Sequence, residues 1–76
     1  MFIDIGKNNF LNADRLLTVS SPDSAPIKRL CTDAKQKGTL IDATSGRRIQ
    51  SVLVLDGGFI TLSSLSPEEI NEKLKG

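Results

Sequence analysis

Histidine, tryptophan and tyrosine are absent from these 76 residues, and there is a single cysteine, Cys31. One cysteine excludes an internal disulfide. Without histidine no usual zinc or iron–sulfur set can be assembled, and Ser–His–Asp and Cys–His catalysis are both excluded. Three phenylalanines are the only aromatics, too few for a platform that stacks single-stranded bases. The longest uninterrupted apolar run is Val52–Leu55, far too short to span a bilayer. Asp4 interrupts the start before any leader-like apolar run develops, so no secretory leader is expected. One free cysteine and no leader fit a cytoplasmic protein. The length suits one small domain over residues 1–76, with a modest core.

What is present is ordinary in amount and uneven in placement. The net charge is +1. Residues 28–48 carry Lys28, Arg29, Lys35, Lys37, Arg47 and Arg48 against Asp33 and Asp42, a net +4 between two acidic ends. That pattern predicts one positive face.

Short strands are expected at Phe2–Ile5, Phe10–Leu11 and Arg15–Ser20, the first two separated by the turn-like Gly6–Asn9. In Arg15–Ser20, alternation places Leu17 and Val19 on one face and Leu16 and Thr18 on the other. Ser24 is a helix cap, Pro26 is tolerated in a first turn, and Gly38 suits the far end. Between them Ile27, Leu30, Cys31 and Ala34 form an apolar stripe at helical spacing. Cys31 lies in that stripe and reads as packing, not as a reactive thiol. Lys28, Arg29 and Lys35 fall on the other faces of the helix.

Thr39–Thr44 reads as a strand, Ser45-Gly46 as a turn and Arg48–Leu55 as a longer strand. Asp56-Gly57-Gly58 is a hairpin signal before the returning strand Phe59–Ser64; it lacks the strand–helix context of a phosphate loop. Ser66 and Glu69 form a capping box, with Leu65 and Ile70 as the hydrophobic staple of a short last helix. The fold class is therefore α+β: a small, twisted, mostly antiparallel sheet, one central amphipathic helix and a short C-terminal helix. Val52, Val54, Leu62, Leu65 and Ile70 present more apolar surface than nine helical residues can cover. The last helix or another copy of the chain must cover that face, and self-association through that region is expected.

Two arginines at the exit of a glycine turn, Arg47 and Arg48, make a forked and always-charged donor set suited to phosphate or base edges. Asp42, just before the turn, reads as a group that holds the turn together and not as a nucleophile. With so few aromatics, duplex nucleic acid suits the arginines better than single strands. An ordinary solvated basic face is the plain alternative. No enzyme, cofactor, metal or small-molecule substrate is expected.

The blocks Ser21-Pro22-Asp23-Ser24-Ala25-Pro26-Ile27-Lys28-Arg29 and Leu40-Ile41-Asp42-Ala43-Thr44-Ser45-Gly46-Arg47-Arg48, preceded by Asn12-Ala13-Asp14-Arg15-Leu16, together resemble the RemA family of small bacterial regulators of extracellular-matrix (biofilm) genes. The similarity runs from near the start to about Leu65. It implies a nucleoid-associated transcription regulator that binds duplex DNA as a homo-oligomer, with the subunits arranged in a ring. The family's DNA-contacting arginines fall on Arg15, Arg47 and Arg48. Lys28, Arg29 and Lys35, on the exposed faces of the helix, are secondary candidates for the same contacts, and Lys28 and Arg29 alternatively serve subunit contacts. From the residues alone Arg15 could equally pair with Asp14 or Asp4. Ile49-Gln50 stands where the family usually has Thr-Arg, Ser45 where it often has a larger residue, and Ser66–Gly76 is only loosely similar. Two alternatives use the same basic residues: an RNA-binding regulator, and an interaction protein that meets an acidic partner.

Overall fold

The structure, a computed structural model, describes all residues 1–76. Its elements are β1 (Phe2–Asp4), β2 (Phe10–Asn12), β3 (Leu16–Ser20), α1 (Ala25–Lys37), β4 (Leu40–Asp42), β5 (Ser51–Leu55), β6 (Ile60–Ser63) and α2 (Pro67–Lys75). Four strands form one sheet in the order β3-β5-β6-β4, and β1-β2 is a separate hairpin. Only β4–β6 is parallel, so the α+β, mostly antiparallel expectation is met.

Residue parity along the two central strands divides the core. Val52, Ile60 and Leu62 point to one side and pack with Ala34 of α1, supported by Ile27, Cys31, Leu40 and Val54. Leu53 points to the other side, where it meets Ile3, Ile5, Leu11, Ala43 and Ile70. The central pair is thus covered on both faces, which explains why β5 reads as a continuous apolar run instead of alternating.

The expected self-association through that region is corrected by the structure, since the chain itself supplies the second layer. Val52, Val54 and Leu62 lie under α1, and Leu65 and Ile70 lie on the opposite face with the β1-β2 hairpin. These residues do not make a single uncovered patch. The exposed apolar side chains are elsewhere, chiefly Phe2 (68%), Phe10 (62%), Leu17 (67%), Ile41 and Phe59.

Three local expectations change. First, Arg15 ends a 3-10 turn over Ala13–Arg15, capped by the Asn12 side chain, and the strand begins at Leu16. Second, a bulge between Leu16 and Thr18 breaks the alternation of β3. One extra residue flips the pattern, so Leu16 and Val19 both reach the core and Leu17 faces out. Third, the strand expected over Arg48–Leu55 is shorter at its start. β4 pairs with β6, while residues 43–50 cross the end of β6 and β5 starts only at Ser51. The crossing is fixed by Ala43 N–H to Leu62 O (3.0 Å) and Gln50 N–H to Ser63 O (2.9 Å).

Two serines occupy the apolar layer at this end. Ser63 Oγ donates to Ile5 O (2.6 Å) and accepts from Leu65 N–H (3.0 Å), and Ser51 Oγ donates to Leu65 O (2.5 Å). Both residues are fully buried. Each hydroxyl satisfies backbone groups that have left the ladder, and a buried backbone group without a partner costs free energy. Ser63→Ala is therefore expected to destabilise the fold by roughly 1–3 kcal/mol, read as a lower denaturation midpoint. Thermal stability equal to that of the parent would mean these bonds contribute nothing net.

Candidate functional site

The Thr44–Arg47 turn is built before its arginines are. Arg47 N–H donates to Thr44 O at 3.0 Å, and the two central residues, Ser45 (φ 54°) and Gly46 (φ 82°), both have positive φ. That is the mirror-image turn class, which suits glycine and strains serine. Asp42 holds the entry: its Oδ1 accepts from Thr44 Oγ1 (2.6 Å) and Thr44 N–H (2.9 Å). The hydroxyl bond first, and the backbone bond second, keep the Asp42 carboxyl below the usual aspartate range. Asn9 braces the same segment by donating from Nδ2 to Ala43 O (3.1 Å) and Gly6 O (3.0 Å). Gln50 closes it by donating from Nε2 to Ser64 O at 2.8 Å.

Arg47 and Arg48 leave this braced loop exposed. With Gln50, Ser64, Leu65 and Glu69 they line an open, polar cleft of about 480 Å³ against the start of α2. Glu69 is committed to the capping box with Ser66, and its hydrogen bonds with the Ser66 backbone and hydroxyl hold its carboxyl low. Neither arginine has a carboxylate within ion-pair distance, since the only ion pairs are Met1–Asp14, Arg15–Asp56 and Glu72–Lys75.

Lys28 lies at this same end of the sheet. It lines a smaller apolar cleft with Pro22, Cys31, Thr32, Ile49, Val52 and Leu62, and Ile49 follows Arg48 directly. Burial pushes the Cys31 thiol above its ordinary pKa, in keeping with a packing role. Arg29 and Lys35 are exposed on α1 and unpaired.

Arg15 sits elsewhere. Leu16 pairs with Leu55, and Arg15 Nε donates to Asp56 Oδ1 at 3.0 Å. The partner is Asp56, not Asp14 or Asp4; Asp14 is bound to the terminal amine of Met1. Arg47 and Arg48 precede the first residue of β5, and Asp56 follows the last. Five extended residues separate these ends by roughly 17 Å. The structure therefore brings Arg47, Arg48 and Lys28 to one end of the sheet and leaves Arg15 at the other.

Sequence reading missed Asn9 and Asp56. Asn9 reads as a turn residue, and its bond to Ala43 spans 34 positions. Asp56 reads only as the first residue of a hairpin turn. Nothing local marks either as a brace of a distant basic residue.

The loop geometry predicts a separable effect of Asp42. A carboxylate whose folded pKa is lowered contributes stability above the ordinary aspartate pKa, and loses it as pH falls through the lowered value. Asp42→Ala is therefore expected to cost about 1 kcal/mol near neutral pH, an exposed site discounting the full worth of charged hydrogen bonds. The difference from the parent should shrink as pH falls through the acid range, measured by denaturation at several pH values. A cost that does not vary with pH would count against the ionised brace.

Comparison with known proteins matches the chain from β1 into α2. The sequence profile of the RemA-like family, described as extracellular matrix regulatory protein A-like, matches residues 2–74. A protein of Geobacillus thermodenitrificans is 49% identical over 75 residues, 99% of this chain and 86% of its own length. One from Dictyoglomus turgidum is 51% identical over 74 residues, 97% of this chain and 87% of its own. One from Thermosynechococcus vestitus is 53% identical over 72 residues, 95% of this chain and 94% of its own. All three are named, provisionally, as regulatory proteins. No helix is long and apolar enough to cross a membrane. With nearly its whole length matched, this chain belongs to the RemA-like family of regulatory proteins.

Proposed function

We propose that this chain is a transcription regulator of extracellular-matrix genes that binds duplex DNA through Arg47, Arg48 and Arg15 as a nucleoid-associated homo-oligomer, with Lys28 as an auxiliary contact. The observation that carries the reading is the braced loop that holds two exposed, unpaired guanidiniums side by side in a chain of a regulatory family. The braced loop leaves little backbone freedom to be lost when these cations meet phosphates. Planar, forked guanidiniums match phosphate oxygens better than ammonium groups do.

The separation of the arginines bears on the assembly. One protomer offers the Arg47–Arg48 pair at one end of β5 and Arg15 alone at the other, about 17 Å apart. Duplex DNA carries one phosphate charge per about 1.7 Å of axis, so the two ends meet different phosphates. Repetition in an oligomer, a ring in the reading that the family resemblance supports, turns scattered contacts into a track. Avidity then rises without a new kind of contact. The exposed Phe2, Phe10, Leu17, Ile41 and Phe59 side chains offer apolar surface through which copies associate. A track without base-edge specificity favours DNA that bends easily.

The test is duplex binding over a range of salt. Three arginines from one protomer give a slope of log K against log salt of only about −2.7, at about 0.9 per phosphate. The expected slope of the parent is steeper, because several protomers contribute. Arg47→Ala and Arg48→Ala should each weaken binding and flatten the slope, with stability changed by no more than about 0.5 kcal/mol. Parental binding by both variants would overturn the assignment of the loop. Sedimentation showing a monomer at binding concentrations would overturn the oligomeric part. Stronger competition by an RNA of equal length than by the duplex would move the reading to RNA.

A further inference from the structure

Among the six candidate cations, Arg15 alone is held by a carboxylate. The Arg15–Asp56 pair joins residues 41 positions apart, and it is the only ion pair between two side chains that links separate elements. Arg15 donates through Nε, and neither Nη makes a hydrogen bond within the protein. The terminal edge of the guanidinium is therefore free and the lateral edge is fixed. Both side chains stay about half exposed or more, 65% for Arg15 and 49% for Asp56. They form the rim of a mainly apolar cleft of about 320 Å³ that includes Leu11, Ile41, Leu55 and Phe59.

We propose that Asp56 is a positioning residue for DNA binding, one that fixes the Arg15 guanidinium by its Nε edge so that its two terminal amino groups face phosphate. The proposal rests on the reading of Arg15 as a DNA contact given above. Two effects of Asp56 oppose one another. Its negative charge repels phosphate, while its bond restricts a long side chain that otherwise samples many rotamers. A phosphate taken by the far edge of the guanidinium stands nearly a Debye length, about 8 Å at physiological salt, from the carboxylate. Repulsion across exposed, water-filled space at that range is small. Restriction of the rotamers is local and unscreened, and arginine is among the side chains with most rotamer freedom to lose. Positioning therefore outweighs repulsion.

This ordering makes a prediction opposite to charge counting. Removing Asp56 makes every protomer more positive by one, which by charge alone tightens DNA binding. Asp56→Ala should instead weaken duplex binding about two- to fivefold, the range an exposed pair supports, with a shallower salt slope. Asp56→Asn keeps an Oδ1 that accepts from Arg15 Nε and should bind at least as well as the parent. Arg15→Ala should weaken binding at least as much as Asp56→Ala, and adding Asp56→Ala to it should have no further effect. Thermal melting of each protein shows that it is folded, and Asp56→Ser serves as a second variant too short to bridge. Asp56→Ala and Asp56→Ser binding as tightly as the parent, or tighter, while Arg15→Ala is weak, would overturn the positioning role and leave the contact standing. Arg15→Ala binding at parental affinity would overturn the contact itself, and with it the role of Asp56.

Discussion

The Ser63 hydroxyl is where the chain closes on itself. It accepts from Leu65 N–H as the strand turns toward α2 and donates to Ile5 O at the end of the first strand. One side chain thus ties the first segment, the last sheet strand and the entry to the last helix together. A chain of 76 residues has little core to spend on uniqueness, and its two apolar clusters are small. Directional bonds in the buried layer then specify which hairpin and which helix cover which face. Gly6 shows how tight that closure is. Its φ is +109°, and a Cβ there would stand 2.9 Å from Ser64 Oγ.

The basic loop depends on the same closure. Gln50 pairs with Ser63 O through its backbone and with Ser64 O through its side chain. Asn9 reaches Ala43 from the turn that leads out of Ile5. The loop is therefore anchored on both sides by groups that the Ser63 bonds hold in register. Its charged tips need no ion pairs of their own, and they have none.

Most of this fold was legible because its signals are local. Ser24 and Gly38 bound α1, Ser66 and Glu69 cap α2, and the apolar run in β5 announces burial on two faces. What was not legible depends on long-range partners. The pairing of β4 with β6 instead of β5 follows from where residues 43–50 cross, not from any residue in β4. The bulge that turns Leu17 outward adds one residue without a sequence marker, since Leu16, Leu17 and Val19 all suit a buried strand. Arg47 and Arg48 stood out through their turn, whereas Arg15 was singled out by family resemblance alone. Its partner Asp56 lies 41 residues away.

The opposite placement of Arg15 and of the Arg47–Arg48 loop changes what the sequence pattern means. Charge counted along the chain suggested one positive face around residues 28–48. In three dimensions the basic middle is divided, because the start of α1 and the loop frame one end of the sheet while Lys37, at the end of α1, lies toward the other, near Gly58 and Thr39. Under the proposed function neither end acts alone, since a few phosphate contacts at about 0.9 each give only a shallow salt slope. A protomer with cations at both ends of a short strand is useful where its ends meet the ends of other copies. Under the same proposal, the exposed aromatic and aliphatic side chains on β1, β2, β3 and β4 are the surfaces that copies would share. Under the proposed function, association and polyanion binding are one property: the first would align the charges, and the second would draw on their sum.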